Sequence, residues 1–148
     1  MTASASMVEG LAEQIVACTP DGVIFADRAG TIRFWNAGAE AMFGYSAQEA
    51  IGQPLALIIP ERLRARHDEG YRRVMQTGVT QYSGRRLLAV PAMRKDGERV
   101  SVEFSVALLH DTDRTLRGVA AVMRDVTDRW RKEKETTERL AALEAKSK

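Results

Sequence analysis

The stretch from Arg99 to Leu108 constrains this chain more than any other. Val100, Val102, Phe104, Val106 and Leu108 alternate with Ser101, Glu103 and Ser105. A period of two belongs to a strand with one apolar and one wet face, not to a helix. Arg94-Lys95-Asp96-Gly97 stands just before it and carries an Asp-Gly pair, which predicts a hairpin back to a run from Arg85 to Met93. After a polar turn over His110 to Arg114, Leu116 to Met123 predicts a third consecutive strand. Hairpin links require antiparallel pairing, and the apolar face of such a sheet needs a layer to cover it.

The preceding half supplies that layer. Met7, Leu11, Ile15 and Val16 recur at helical spacing, and Thr19-Pro20-Asp21-Gly22 stops the helix. Val23–Ala26 and Thr31–Trp35 read as two strands joined by Asp27-Arg28-Ala29-Gly30. Asn36 caps a helix that Gly44 ends, and Ser46 with Glu49 makes a capping box for the next one. Leu55 to Ile59 is a brief apolar stretch closed by Pro60. A longer helix follows, from about Glu61 to Gln76, stopped by Thr77-Gly78. Its apolar face is Leu63, Tyr71 and Val74, with His67 on the same face. From Asp128 to Lys148 the chain is dense in Arg, Lys and Glu without Gly or Pro, so one exposed helix is expected. Val126, Trp130, Glu133, Thr137, Leu140 and Glu144 follow coiled-coil spacing, but only three of these are apolar. The fold class is therefore α+β: a five-stranded antiparallel sheet with helices on one face, plus a C-terminal helix.

Composition narrows the function. The 148 residues suit one domain with an extra arm, and 45% apolar residues support a globular core. A formal charge of +2 gives no dedicated nucleic-acid surface. No apolar run approaches a membrane span, and Met1 to Met7 lacks the charged and apolar regions of a secretion signal. Cys18 is the one cysteine, so no internal disulfide is possible; it reads as an inert packing residue. A cytoplasmic location is expected. Catalysis is not: the two histidines, His67 and His110, form no nucleophile–His–acid pattern, and there is no Cys/His metal spacing or phosphate loop.

Several motifs, in order, resemble the PAS family. They are Asp21-Gly22-Val23-Ile24, Gly30-Thr31-Ile32, Trp35-Asn36 and Glu40-Ala41-Met42-Phe43-Gly44-Tyr45-Ser46. Then come Ile51-Gly52-Gln53-Pro54, Ile58-Ile59-Pro60, Arg94-Lys95-Asp96-Gly97 and Arg124-Asp125-Val126-Thr127. The resemblance covers roughly Cys18 to Thr127. It implies a bacterial sensory module in which the sheet cups a small-molecule pocket and the Asp-x-Thr junction hands over to an output helix. The expected division is an N-terminal helical cap over 1–18, a sensor domain over 19–127 and a linker helix over 128–148. An effector such as a histidine kinase or cyclase is expected in the parent protein, and a homodimer through the N- and C-terminal helices.

The pocket is expected between the inner sheet face and the helix bearing His67. Arg66-His67-Asp68 followed by Tyr71 resembles the helix of the haem-binding oxygen sensors of rhizobial histidine kinases, where a histidine at the matching place holds the iron. A neutral imidazole on an apolar face suits that role. Haem b at His67, as a sensor of O2, CO or NO, is thus one alternative for the cofactor; a histidine at the edge of the core is the plainer reading. Tyr71, Leu88, Val102 and Phe104 are the other expected lining residues, and Arg86 lies near the place where related sensors carry a distal arginine or methionine. Covalent flavin of the light-sensing type is not expected, because Gly52-Gln53-Pro54-Leu55-Ala56-Leu57 has no cysteine. Asp125 and Thr127 are the relay candidates, since short polar side chains at a strand-to-helix junction bond the backbone and set the helix's entry angle. A further alternative is a scaffold that dimerises and holds no ligand.

Overall fold

The structure is a computed structural model that describes residues 8–80 and 88–147, with the side chain of Leu88 outside the described set. The first helix, α1 (Leu11–Cys18), is followed by strands β1 (Gly22–Asp27) and β2 (Ile32–Trp35). Helices α2 (Ala37–Phe43) and α3 (Ala47–Ala50) and two 3-10 turns, Leu55–Ile58 and Glu61–Leu63, lead to α4 (Arg64–Thr77). Strands β3 (Leu88–Met93), β4 (Arg99–His110) and β5 (Leu116–Asp125) precede the last helix, α5 (Thr127–Lys146). The part of the third expected strand before Leu88 lies outside the described residues.

The five strands form one antiparallel sheet in the order β2-β1-β5-β4-β3. The last strand therefore sits at the centre, between the first and the fourth. Chain order does not show this, because it depends on pairing residues about a hundred positions apart, such as Gly22 with Met123. The outer edge of β2 is covered by the segment after α3: the Ile32 N–H donates to the Gln53 carbonyl and the Gly52 N–H to the Ile32 carbonyl. Covering an edge in this way removes a template for unwanted pairing.

Local signals account for most boundaries. The Asn36 side chain accepts from the Ala39 N–H, and Gly44 ends α2 at φ 81°. Ser46 and Glu49 form the reciprocal capping box of α3. The longer helix differs slightly from expectation: Glu61–Leu63 is a 3-10 turn and the α-helix proper begins at Arg64. Pro60 and the tight turn after it delay the regular helix. The core gathers Ile24, Ile32, Trp35, Met42, Phe43, Ile58, Val100, Val102 and Met123. Trp35 packs against Phe43 with ring centroids 5.5 Å apart, and its indole N–H donates to the Tyr45 carbonyl.

Two local expectations differ. Cys18 is exposed rather than packed, because α1 buries none of its residues. The outer sheet face is polar only in part. Ser101, Glu103 and Ser105 are on it along β4, but Phe34 is 40% and Val122 42% exposed on β2 and β5.

Candidate functional site

The inner face of β4 changes character along its length. Val100 and Val102 are buried, whereas Phe104, Val106 and Leu108 are only half-covered. Val90, on β3, is half-covered as well and is paired with Val102. The pattern predicted which residues share this face; it does not reveal where the covering layer stops, because that depends on packing between distant segments.

Helix α4 is held lightly. Met75 is its one fully buried residue, one place beyond the expected face, while Leu63, His67, Tyr71 and Val74 are half-buried. The clearest tie is at Tyr71, whose hydroxyl donates to the Asp27 carbonyl at 2.5 Å and lies 3.2 Å from that of Ala26. Its ring lies under Gly30, in the β1–β2 turn. Burial, and then the neighbouring Asp27 carboxylate, pushes the Tyr71 phenol up to about 12. Burial would likewise raise the Asp27 carboxyl. Bonds from Arg33 and from the Thr31 and Ala29 N–H groups outweigh it and hold this carboxyl below the usual range.

His67 stands one turn before Tyr71, and the two rings are stacked with centroids 6.2 Å apart. Its Nδ1 is hidden from solvent and has no hydrogen-bond partner. The Asp68 carboxylate, at 3.7 Å, is too far for one. Thus His67 and Tyr71 share one helix face, and Val102 and Phe104 share one strand face. Arg86 lies outside the described residues. Leu88 opens β3 and is paired with Phe104 by its backbone.

Two surface cavities lie elsewhere. One of about 470 Å³ is lined by Pro60, Glu61, Arg62, Met93 and Arg99. Another of about 550 Å³ lies between two hairpin tips, near Asp27, Arg28, Asp111, Asp113 and Thr115. Neither includes His67, Tyr71, Val102 or Phe104.

The strand-to-helix junction is closely bonded. The Asp125 carboxylate accepts from the Thr127 N–H at 2.9 Å and from its hydroxyl at 2.5 Å. The Thr127 hydroxyl oxygen accepts from the Ser101 N–H at 3.0 Å, and the Val126 N–H donates to the Ser101 carbonyl at 2.8 Å. Asp125 and Thr127 therefore act together, as a side-chain turn that fastens the start of α5 to β4.

Sequence reasoning missed two groups. Asn36, 4% exposed, does more than cap a helix. Its Oδ1 accepts from the Val23 and Ala39 N–H groups, and its Nδ2 donates to the Val16 and Asp21 carbonyls. Only the bond within α2 is local enough to be read from the chain. Glu103, placed on the wet face by its alternation, makes an ion pair with Arg129 in the first turn of α5.

Among the described residues no helix is long and apolar enough to cross a membrane. A protein of Azorhizobium caulinodans is 39% identical over 110 residues, covering 74% of this chain and 15% of that protein. Sensor protein FixL of Bradyrhizobium diazoefficiens is 34% identical over 87 residues, covering 59% of this chain and 17% of its own length. The chain thus spans less than a fifth of either relative. Among solved structures, the PAS domain of a protein from Colwellia psychrerythraea superposes with a TM-score of 0.70 at 21% identity, covering 82% of this chain and 98% of that domain. The profile of the PAS fold matches residues 17–131. With the sheet order, the covering helices and this match in hand, the chain belongs to the PAS fold family.

Proposed function

We propose that this chain is a sensory module that binds a small, largely apolar ligand between the inner face of β4 and α4, and relays its presence through the Asp125–Thr127 junction to α5. The burial gradient along β4 carries this reading. Apolar surface at Phe104, Val106 and Leu108 is left half-covered, and α4 buries one of its own residues. Apolar concavity beside a lightly held element is the usual setting of a small-molecule site. The FixL relative is named as a sensor, which supports the same reading. A ligand shifts α5 only through a difference in its affinity for two states of the domain.

The functional division follows: 1–18 as a helical cap, 19–127 as the sensor and 128–148 as the linker to an effector such as a kinase or cyclase in the parent protein. A homodimer through both terminal helices fits the exposure of Ile15 (58%), Trp130 (47%) and Leu143 (57%). Mass spectrometry of denatured, freshly purified protein tests the ligand, and sedimentation tests the dimer. The expected result is a released small molecule that is lost from Val106→Glu. A dimer that purifies empty, and whose melting temperature no haem, flavin or fatty acid raises, points instead to a ligand-free scaffold.

One observation favours a haem-based gas sensor as a second reading: the unpartnered, solvent-shielded Nδ1 of His67. The imidazole fits as an iron ligand, although neither surface cavity reaches it. His67 would hold the iron, and the haem would supply reversible binding of O2, CO or NO. A Soret band that disappears in His67→Ala supports this assignment; a colourless protein after reconstitution with haem removes it.

A further inference from the structure

The first turn of α5 is fastened to β4 at alternate residues. Ser101 holds Val126 and Thr127 through its backbone. Two residues on, the Glu103 carboxylate holds the Arg129 guanidinium. Beyond this point α5 is solvated: every described residue from Asp128 to Ser147 is exposed. The helix is a free arm with a fixed root.

The root sits on the strand that carries the half-covered inner face. Strand residues alternate sides, so Glu103 on the outer face lies between Val102 and Phe104 on the inner one. A guest that displaces Phe104 therefore moves the backbone that carries Glu103. The Glu103 side chain is 18% exposed, which makes it the more sheltered member of the pair, against 56% for Arg129. Its release does not strand a carboxylate, because Arg124 is directly opposite on β5. Arg124 is at present turned to Asp21, at 3.4 Å. Glu103 thus has two arginines within its neighbourhood, one on the arm and one on the sheet.

We propose that the Glu103–Arg129 ion pair is a positioning clasp that sets the exit direction of α5, and that Glu103 moves to Arg124 when the arm is released. This deepens the relay reading given above and rests on it. The pair is an addition to the Asp125–Thr127 junction, which fixes where the helix starts rather than where it points.

The test is amide hydrogen exchange on the intact chain, read over the first two turns of α5. Glu103→Gln and Arg129→Gln should each speed exchange there about two- to five-fold, the scale of a partly exposed ion pair, while β1 and β2 keep wild-type protection. The swap Glu103→Arg with Arg129→Glu, made in an Arg124→Gln, Glu133→Gln background so that neither new charge meets its like, should restore protection, and a merely structural strand position would not show that rescue. Unchanged exchange in both single variants, or a folded swap without rescue, overturns the clasp. Phe104→Ala separates the clasp from the relay. If it speeds α5 exchange in the wild-type background but not in Glu103→Gln, the clasp carries the signal. If it does so equally in both, the relay stands and the clasp falls. If it does so in neither, relay through β4 falls, and with it the signalling role of the pair.

Discussion

The two ends of this sheet are built to different standards. At the β1–β2 end, Asn36 joins α1, the loop after it, β1 and α2 through bonds to four backbone groups, and Phe43, Ile24 and Ile32 are almost wholly buried. Gly38 is needed there because a Cβ would lie 2.1 Å from the Asp21 carbonyl oxygen. At the β4–β3 end, Val90, Phe104, Val106 and Leu108 are half-covered, and the long helix α4, which one phenol ties back to β1, buries only Met75. This asymmetry fits the proposed sensing role. A domain that must admit a guest needs a firm end to hold its shape and a loose end to respond.

The largest blow to this comparison is expected at the firm end. Asn36→Ala should cost about 3 kcal/mol, because it leaves two N–H groups and two carbonyls without their partner around a buried side chain; urea unfolding measures it. A loss under about 1 kcal/mol would show that water replaces the amide and that the hub is not rigid. Matched truncations sharpen the contrast. Phe43→Ala should cost about 3–5 kcal/mol as a filled core position, and Phe104→Ala clearly less, since part of its surface is already wet. Equal losses would mean that the two ends are equally packed in solution.

Tyr71→Phe comes next, at about 1 kcal/mol for a single net hydrogen bond. Its more telling readout is local: exchange along α4 should rise while β1 stays protected. The same phenol predicts a pH effect. Its folded pKa, about 12, lies above the ordinary value of 10.0, so the folded state keeps a proton that the unfolded chain gives up. Stability from this group is full below pH 10.0 and is lost as pH climbs toward about 12, and Tyr71→Phe should flatten that loss. The smallest effect is expected at the hinge. Thr127→Val removes the hydroxyl between Asp125 and Ser101 and should cost about 0.5–1.5 kcal/mol, with faster exchange confined to Ser101 and the start of α5.

Much of the fold was legible in the chain. Alternation over Val100–Leu108, the Asp-Gly turn, the Asn36 cap, the Ser46–Glu49 box and the stop at Gly78 each report interactions spanning a few residues. The shared face of His67 and Tyr71 followed from helical spacing, and the Asp125–Thr127 turn from two short polar side chains. What could not be read was contact at a distance. Nothing local says that Tyr71 reaches the Asp27 carbonyl, that Nδ1 of His67 is left without a partner, or that Glu103 takes Arg129 when Arg124 stands opposite.

By itself, the order of residues determined which segments are strands and helices, most of their caps and turns, and which side chains share a face. Those outcomes depend on backbone preference, capping and periodicity, all of them short-range. Only the tertiary structure decided that β5 is inserted beside β1, that one buried amide ties four elements of chain, and that the cover over β4 ends beyond Val102. Each of these depends on how closed loops bring distant groups into contact, and many sequences with the same local pattern would close them differently.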